Sequence, residues 1–358
     1  MKKIVFATGG TGGHIFPALA IADVLSRERD ISVIFIGEDM ESQPIASRYP
    51  IKKLDLASIK RFPSSVCKPI IVFFKSILLS FLFFLKEQPS LIVGMGSYAS
   101  LPPLLAAAML RIPIVIHEQN IVPGRVNRFL SIFARKILIT FPETARFFPS
   151  SRTKLVGLPL RSSLIKIEKA TARRTLNLSS DSQTILVLGG SRGAVSINKA
   201  IIEIIPSLIE EGIQVIHICG TASYPELKNK AKKDSGYLLL PFTEDMHLLY
   251  SSADLCIARA GASTLAELAY FALPSILIPY PYAVSQHQFL NALLFQKKGA
   301  SKLFKNEELK EPEKLRQLIL FLLSSPKTLQ MMSKCAFSLA RPSAAVDSAK
   351  ELKEVMKI

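Results

Sequence analysis

Two stretches decide the fold: Ile4-Val5-Phe6-Ala7-Thr8-Gly9-Gly10-Thr11-Gly12-Gly13 and Thr184-Ile185-Leu186-Val187-Leu188-Gly189-Gly190-Ser191-Arg192-Gly193. They superpose at an offset of 180 residues (184 against 4), with Gly9, Gly10 and Gly13 falling on Gly189, Gly190 and Gly193 and Thr11 on Ser191. Each is an unbroken apolar run that meets a glycine turn carrying a hydroxyl, followed by a helical pattern. An apolar run without alternation is a strand buried on both faces, and such strands form parallel sheets covered by helices. A glycine turn from strand to helix opens a Rossmann-like unit. The echo predicts an α/β chain with two such units in tandem.

Outward from these stretches the same plan repeats. The first half carries expected strands at Ile4–Ala7, Val33–Ile36, Leu91–Val93, Ile114–Ile116 and Ile137–Ile139. The second carries Ile185–Leu188, Val215–Ile218, Leu238–Leu240, Leu255–Ala258 and Ile276–Ile278. Turn residues at Gly157-Leu158-Pro159-Leu160 mark the expected boundary, giving domains 1–160 and 161–342. Arg341-Pro342 breaks the tail ahead of a last helix from Ser343 to Lys357.

The 358 residues are 49% hydrophobic and 20% charged, enough apolar material for two cores and far from a disordered composition. The net charge of +17 points to a polyanion: nucleic acid, a phosphorylated substrate or an anionic bilayer. Without an RNP motif, zinc-finger spacing or RGG tract, nucleic acid is not the expected partner. Cys67, Cys219, Cys256 and Cys335 are far apart and read as free thiols of a reducing compartment. The apolar run after Met1-Lys2-Lys3 stops at Gly9-Gly10, a strand's length, so it reads as a first strand of a cytoplasmic protein and not as a signal peptide.

Glycine turns at helix starts let backbone N–H groups approach an anion. Neither turn has the lysine of a P-loop, and Ile15 stands where a dinucleotide fingerprint needs its last glycine. Glu38 could still serve a ribose, which keeps a dehydrogenase reading open, as does a tight turn with no ligand. Two matching turns favour an anionic ligand between two domains. His14 follows the first turn, where a helix N-terminus favours the neutral ring that can accept a proton. His117-Glu118-Gln119-Asn120 follows a strand, and His117 reads as a loop or supporting residue. Arg259-Ala260-Gly261-Ala262-Ser263-Thr264-Leu265-Ala266-Glu267 also follows a strand; the N–H groups of Ala262 to Leu265 suit a phosphate and Glu267 a ribose diol. Gln288 and Asn291 share a helix face and suit sugar hydroxyls, although a polar surface would look the same. No D-x-D pair or histidine spacing predicts a metal site.

Together, Gly9 to Ala20, Gly94-Met95-Gly96-Ser97-Tyr98, His117 to Asn120, Gly189-Gly190-Ser191-x-Gly193 and Arg259-x-Gly261-Ala262-x-Thr264-x-x-Glu267 resemble the peptidoglycan N-acetylglucosaminyltransferases that convert lipid I to lipid II. The resemblance runs through nearly the whole chain. It implies a GT-B fold, with two Rossmann-like domains facing a deep cleft and a final helix (343–358) crossing back to the first. It implies inverting transfer of GlcNAc from UDP-GlcNAc to the 4-hydroxyl of undecaprenyl-diphospho-MurNAc-pentapeptide, with no metal and no cofactor. It gives His14 the role of general base, and Thr11, Gly12 and Gly13 the acceptor diphosphate or the donor sugar. Tyr98 and Asn120 would line the acceptor side, with Asn120 also near the donor, and Arg161 and Ser191 would contact UDP. Thr243 would meet uracil, Ala262, Ser263 and Thr264 the phosphate, Glu267 the ribose, and Gln288 and Asn291 the sugar. Leu158 departs from the family, which has Asn there. The implied partners are UDP-GlcNAc, lipid I, an anionic membrane surface and proteins of cell-wall synthesis and division, and the implied location is peripheral, on the cytoplasmic face of the inner membrane.

Pro69–Leu85 bears on that location independently. With Lys75 inside it, the segment is marginal as a spanning helix. At helical spacing Ile70, Phe74, Ile77, Phe81 and Phe84 form the expected core face. Lys68, Val72, Lys75, Leu79, Leu82 and Lys86 form a basic–apolar face suited to anionic lipid, with Lys52, Lys53, Lys60 and Arg61 nearby. A core helix with snorkelling lysines is the plainer alternative. The competing functional readings are a UDP-GlcNAc 2-epimerase, a glycolipid glycosyltransferase, and a nucleotide-binding membrane adaptor without chemistry.

Overall fold

The computed structural model describes residues 1–10, 12–38, 40, 47–54, 67–189, 194–230 and 236–357. The elements of the first half are β1 (Lys2–Gly9), α1 (Gly12–Leu25), β2 (Ile31–Glu38), β3 (Ile51–Lys53), α2 (Cys67–Glu87), β4 (Leu91–Gly94), α3 (Leu101–Met109), β5 (Ile114–Glu118), α4 (Arg125–Leu130), β6 (Lys136–Ile139) and β7 (Thr153–Leu155). The second half runs α5 (Lys169–Thr175), β8 (Thr184–Leu188), α6 (Val195–Glu210), β9 (Gln214–Ile218), α7 (Tyr224–Lys230), β10 (Tyr237–Leu240), α8 (Met246–Ser252), β11 (Leu255–Ala258), α9 (Ala262–Phe271), β12 (Ser275–Leu277), α10 (His287–Lys297), β13 (Ser301–Leu303), α11 (Pro312–Leu323) and α12 (Pro326–Ser338), and ends in α13 (Ala344–Lys357). The chain divides into two compact units, Met1–Arg161 with Arg341–Ile358, and Ser162–Ala340.

In the first unit the parallel strands lie in the order β3-β2-β1-β4-β5-β6-β7. The chain walks outward from β1 and then restarts on its other side with β4. The carboxyl ends of β1 and β4 therefore flank the switch point at which open α/β sheets bind ligands. Apolar residues alternate between the two faces: Ile4 and Phe6 pack with Ile15 and Leu19 of α1, while Val5 packs with Ile92, Leu104 and Phe84. α13 closes the first of these cores with Ala349, Leu352 and Val355. Lys136 fixes that helix from β6, 2.5 Å from Glu351 and 3.1 Å from Glu354. Its return needs Gly157: φ there is +89°, and an added Cβ would lie 2.6 Å from Cβ of Arg341.

The second unit repeats the plan, with parallel strands in the order β10-β9-β8-β11-β12-β13 and a switch point between β8 and β11. Its core joins Ile185, Val187 and Ile257 to Ile197 and Ile201 of α6 and Leu315 and Ile319 of α11.

All ten expected strands are present, and β3, β7 and β13 are additions. Each addition is a three-residue sheet edge, paired on one side only and carrying a lysine (Lys52 and Lys53, Lys154, Lys302). Short charged edges resist pairing with other chains and leave no apolar run to read.

α2 bears out Ile77, Phe81 and Phe84 of the expected core face, all packed against the core, and corrects the assignment in its first turns. Ile70 and Phe74, assigned to the core, are 50% and 62% exposed, and Val72, assigned to the outer face, is half-buried against the core. The middle of the inward face is Val72, Ser76, Ser80 and Phe84, an i+4 row in which both serines are buried, flanked by half-buried Ile77 and Phe81. Their hydroxyls donate to carbonyls one turn back, Ser76 to Val72 (2.8 Å) and Ser80 to Ser76 (2.7 Å), so no polar atom is stranded there. Small satisfied serines let α2 lie close against α3. Leu79, Leu82, Lys75 and Lys86 are exposed as expected, joined by Ile71, Leu78 and Leu85, while the side chain of Lys68 lies outside the described residues, as do Lys60 and Arg61. No helix among the described residues is long and apolar enough to cross a membrane.

Candidate active site

His14 is the third residue of α1, at the carboxyl end of β1, and is half-buried. Across the switch point its Nδ1 lies 2.8 Å from the carbonyl oxygen of Met95, which follows β4. A carbonyl only accepts, so Nδ1 carries a proton, and in the neutral imidazole Nε2 is then the basic nitrogen. Gly96 makes the approach possible. Its φ is +84°, and an added Cβ would sit 3.3 Å from both Cε1 of His14 and Nδ2 of Asn127. Pro17, one turn further on, has no N–H for the Gly13 carbonyl, which leaves the first turn of α1 open in its backbone ladder. Arg161 packs its guanidinium 4.4 Å from the centre of the Phe16 ring, on the same helix as His14. Tyr98, in the turn after Gly96, is 69% exposed.

The segment from His117 to Asn120 is buried scaffolding and not a solvated loop. His117 donates from Nε2 to the Gly157 carbonyl (3.1 Å), and burial pushes its pKa down to about 4, so the ring is a neutral tie between β5 and the segment after β7. Glu118 is fully buried and accepts from the N–H groups of Asn120 (2.9 Å) and Gly124 (3.1 Å) and from the Asn127 amide (2.8 Å). Desolvation raises its pKa and those three donors oppose the rise. Gln119 donates to the Met95 carbonyl (2.9 Å), the same oxygen that faces His14. Asn120, half-buried, is held by Glu118 through its N–H and by Thr144 through its carbonyl (3.1 Å). Gln119 and Asn127 as neighbours of the His14 site were not foreseen, and Gly96 between two motif residues was the available signal.

In the second unit α9 starts directly after Gly261, which offers no side-chain cap. The expected run of N–H groups is shorter by one, because Leu265 donates to the Gly261 carbonyl (3.0 Å). Ala262, Ser263 and Thr264 remain as the first-turn amides, and the Ser263 hydroxyl is buried with no hydrogen-bond partner among the described residues. Glu267 is half-buried, and its Oε2 accepts from the hydroxyl of Tyr250 (2.6 Å). Arg259 is a strut: Nη1 donates to the carbonyls of Ile278 (3.1 Å) and Pro279 (3.0 Å), and Nη2 to the hydroxyl of Ser196 at the start of α6 (2.8 Å). Burial lowers its pKa to about 10, which leaves it charged at neutral pH.

Asn291 is fully buried and donates to the Ala260 carbonyl (3.1 Å), holding the loop ahead of α9. Gln288 accepts the Tyr280 N–H through Oε1 (2.9 Å), which turns its amide NH₂ away from that bond. Two successive residues in the left-handed region, Ser285 (φ +52°) and Gln286 (φ +51°), set the entry to this helix, α10. Such strain in two non-glycine residues collects at functional loops. Thr243 accepts the Asp245 N–H (3.0 Å) and shapes the turn before α8. Thr11 and Ser191 lie outside the described residues, as do Gly190, Arg192 and Gly193. A cavity of about 380 Å³ lies at the far end of α9, against Phe271, Ala272 and Tyr250, and holds none of the expected site residues.

Residues 4–139 match the glycosyltransferase family 28 N-terminal domain, and residues 184–352 the family 28 C-terminal domain. The chain is 36% identical over 375 aligned positions to the UDP-N-acetylglucosamine--N-acetylmuramyl-(pentapeptide) pyrophosphoryl-undecaprenol N-acetylglucosamine transferase of Desulforamulus reducens, with 99% of each chain covered. The chain belongs to this family. The Bacillus subtilis transferase of the same name is 35% identical over 364 positions, covering 99% of this chain and 100% of its own. Among solved structures, Acinetobacter baumannii MurG superposes with a TM-score of 0.78 at 29% identity, covering 99% and 100% of the two chains. The fold is therefore GT-B and the protein is a glycosyltransferase of the MurG type. A putative UDP-N-acetylglucosamine 2-epimerase from Listeria monocytogenes also superposes (TM-score 0.73, covering 100% and 97%), but at 16% identity it shares the fold alone.

Proposed function

We propose that the enzyme transfers GlcNAc from UDP-GlcNAc to the 4-hydroxyl of the muramyl sugar of lipid I, giving lipid II, by a single inverting displacement without a metal ion. The observation that carries this reading is the His14–Met95 hydrogen bond. It fixes the tautomer so that the basic nitrogen, Nε2, takes the proton of the acceptor hydroxyl as that oxygen attacks C1 of the donor sugar. UDP leaves from the opposite face of C1, which inverts the anomeric centre.

The first unit supplies the acceptor functions, with Gly12, Gly13 and Thr11 at the glycine turn and Tyr98 and Asn120 along the acceptor side. The second unit supplies the donor functions. The amides of Ala262, Ser263 and Thr264, the Ser263 hydroxyl and the α9 dipole meet the departing diphosphate, with Arg161 and Ser191 as further UDP contacts. Glu267 accepts from the ribose diol, Thr243 offers its backbone to uracil, and Gln288 and Asn291 read the 3- and 4-hydroxyls of the sugar. The exposed aliphatics of α2 with Lys75 and Lys86 dock the enzyme peripherally on anionic lipid at the cytoplasmic face, where a lipid-linked acceptor resides. Proteins of cell-wall synthesis and division are further partners on this reading.

Radiolabelled GlcNAc transfer to a lipid I analogue in the presence of EDTA tests the reaction, with the product's anomeric configuration read by NMR. A β-linked product at undiminished rate is expected. Retention of configuration, or loss of turnover restored by a divalent cation, would overturn the mechanism.

A further inference from the structure

We propose that Tyr250 is a positioning residue for nucleotide binding, holding the Glu267 carboxylate in the orientation that meets the ribose diol. This rests on the ribose role given to Glu267 above. Tyr250 sits on α8 and is 3% exposed. Its ring stacks on Phe271, at the end of α9, with centroids 5.1 Å apart and 28° between planes. That stack anchors the ring and aims the hydroxyl along α9 at Glu267, where it donates to Oε2 at 2.6 Å.

A glutamate carboxylate rotates broadly about its last torsion, so without a tie it would present its two oxygens in many directions. A diol needs both oxygens in one plane facing two neighbouring hydroxyls. One donor fixed on Oε2 removes the rotation, and a carboxylate with about four lone-pair sites still has acceptor capacity on both oxygens. The chemistry of the tie matters as much as its place. A phenol is neutral, so it orients the carboxylate and leaves its negative charge available to strengthen the bonds to the ribose. An arginine there would take both oxygens in a fork, and either arginine or lysine would neutralise the charge.

The experiment titrates UDP and 2′-deoxy-UDP into the wild-type protein, Tyr250→Phe and Glu267→Gln by calorimetry, with urea midpoints for all three. Wild type should prefer UDP by roughly tenfold or more, since one charge-assisted hydrogen bond is lost with the 2′-hydroxyl. Glu267→Gln should lose most of that preference. Tyr250→Phe keeps the ring and its stack; it should bind UDP roughly five- to twentyfold more weakly and 2′-deoxy-UDP almost unchanged, shrinking the preference. If Tyr250→Phe lowers the urea midpoint yet keeps the full preference while Glu267→Gln loses it, Tyr250 is structural only and the proposal fails. If wild type shows no preference, or Glu267→Gln keeps it, the ribose role of Glu267 fails first and the proposal goes with it.

Discussion

At the third residue of α1 the chain carries His14; 180 residues on, at the matching place ahead of α6, it carries buried Ala194. The two switch points otherwise have much in common: a buried first strand, a glycine-rich sequence following it, and a second loop arriving from the strand on the other side. In the first unit that second loop offers the Met95 carbonyl, which fixes the tautomer of a titratable ring. In the second it offers Arg259, already committed to Ile278, Pro279 and Ser196, and then a helix start of small residues. On the proposed mechanism the first arrangement serves as the base, and the second offers backbone N–H groups and one buried hydroxyl to an anion. A repeated scaffold would then divide its labour between proton transfer and anion holding through a few side chains at equivalent edges.

The largest expected effect tests that division directly. His14→Ala should lower kcat by roughly a hundred- to ten-thousandfold, the range for a general base, while calorimetric UDP-GlcNAc affinity stays within about twofold. Equal losses in both would mean that His14 binds the donor and would erase the contrast between the units.

Next in size is a pH effect, because each unit also buries one histidine. His117 and His217 have pKa values pushed down to about 4 by burial. In the unfolded chain each titrates near 6.5, so between pH 6.5 and 4 the unfolded state binds more protons and stability falls as pH falls. The full effect is on the order of 3 kcal/mol per histidine. Glu118, in the first unit, works the other way: burial raises its pKa, so its contribution is present at low pH and is lost as pH rises through that raised value. His217 sits between Tyr237 and Asn198, with no such carboxylate among its hydrogen-bond partners. Hydrogen exchange followed from pH 6.5 to 4 should show the second unit losing protection more steeply than the first. A steeper loss in the first unit would contradict this.

What could be read from the sequence, and what could not, follows the same physics. Nine of the ten expected strands are interior to a sheet, where burial on both faces forces unbroken apolar runs; the tenth, β10, is a half-buried edge that was legible because it still carries Leu238-Leu239-Leu240, whereas the edges Ile51-Lys52-Lys53 and Ser301-Lys302-Leu303 have no such run. His14 was legible from its glycine turn. Its partner was not, since a backbone carbonyl leaves no residue signature; only Gly96, which makes room for the ring, marks the spot. Glu118 drew no reading of its own, because a carboxylate belongs in water unless donors surround it, and the donors that do are backbone and amide groups up to nine positions away.

Gly96→Ala is a smaller perturbation of the same centre. A Cβ at φ +84° is strained, and it meets His14 and Asn127 at 3.3 Å. A stability loss of about 1–2 kcal/mol in urea titration is expected, with kcat reduced roughly tenfold and donor affinity unchanged. An unaltered kcat would show that the placement of the imidazole does not depend on that space.

The smallest expected effect on stability separates two phases of one helix. If the apolar stripe of α2 were its core face, Phe74→Ser would open a cavity and cost about 3 kcal/mol or more, and Val72→Ser would be harmless to folding. At these two positions the structure reverses this, although Ile77, Phe81 and Phe84 of the stripe do pack inward. Phe74 is 62% exposed, so Phe74→Ser should move the urea midpoint by no more than about 0.5 kcal/mol. Val72, continuing the row of Ser76 and Ser80 against the core, should cost about 1 kcal/mol or more when replaced by Ser. Binding to vesicles rich in anionic lipid should follow the opposite ranking. Phe74→Ser removes apolar surface that would enter the bilayer interface and should weaken co-sedimentation several-fold, since an aromatic side chain contributes about 1.5–3 kcal/mol when fully buried. Val72→Ser should leave it nearly unchanged, because a half-buried side chain packed against the core has little to give to lipid.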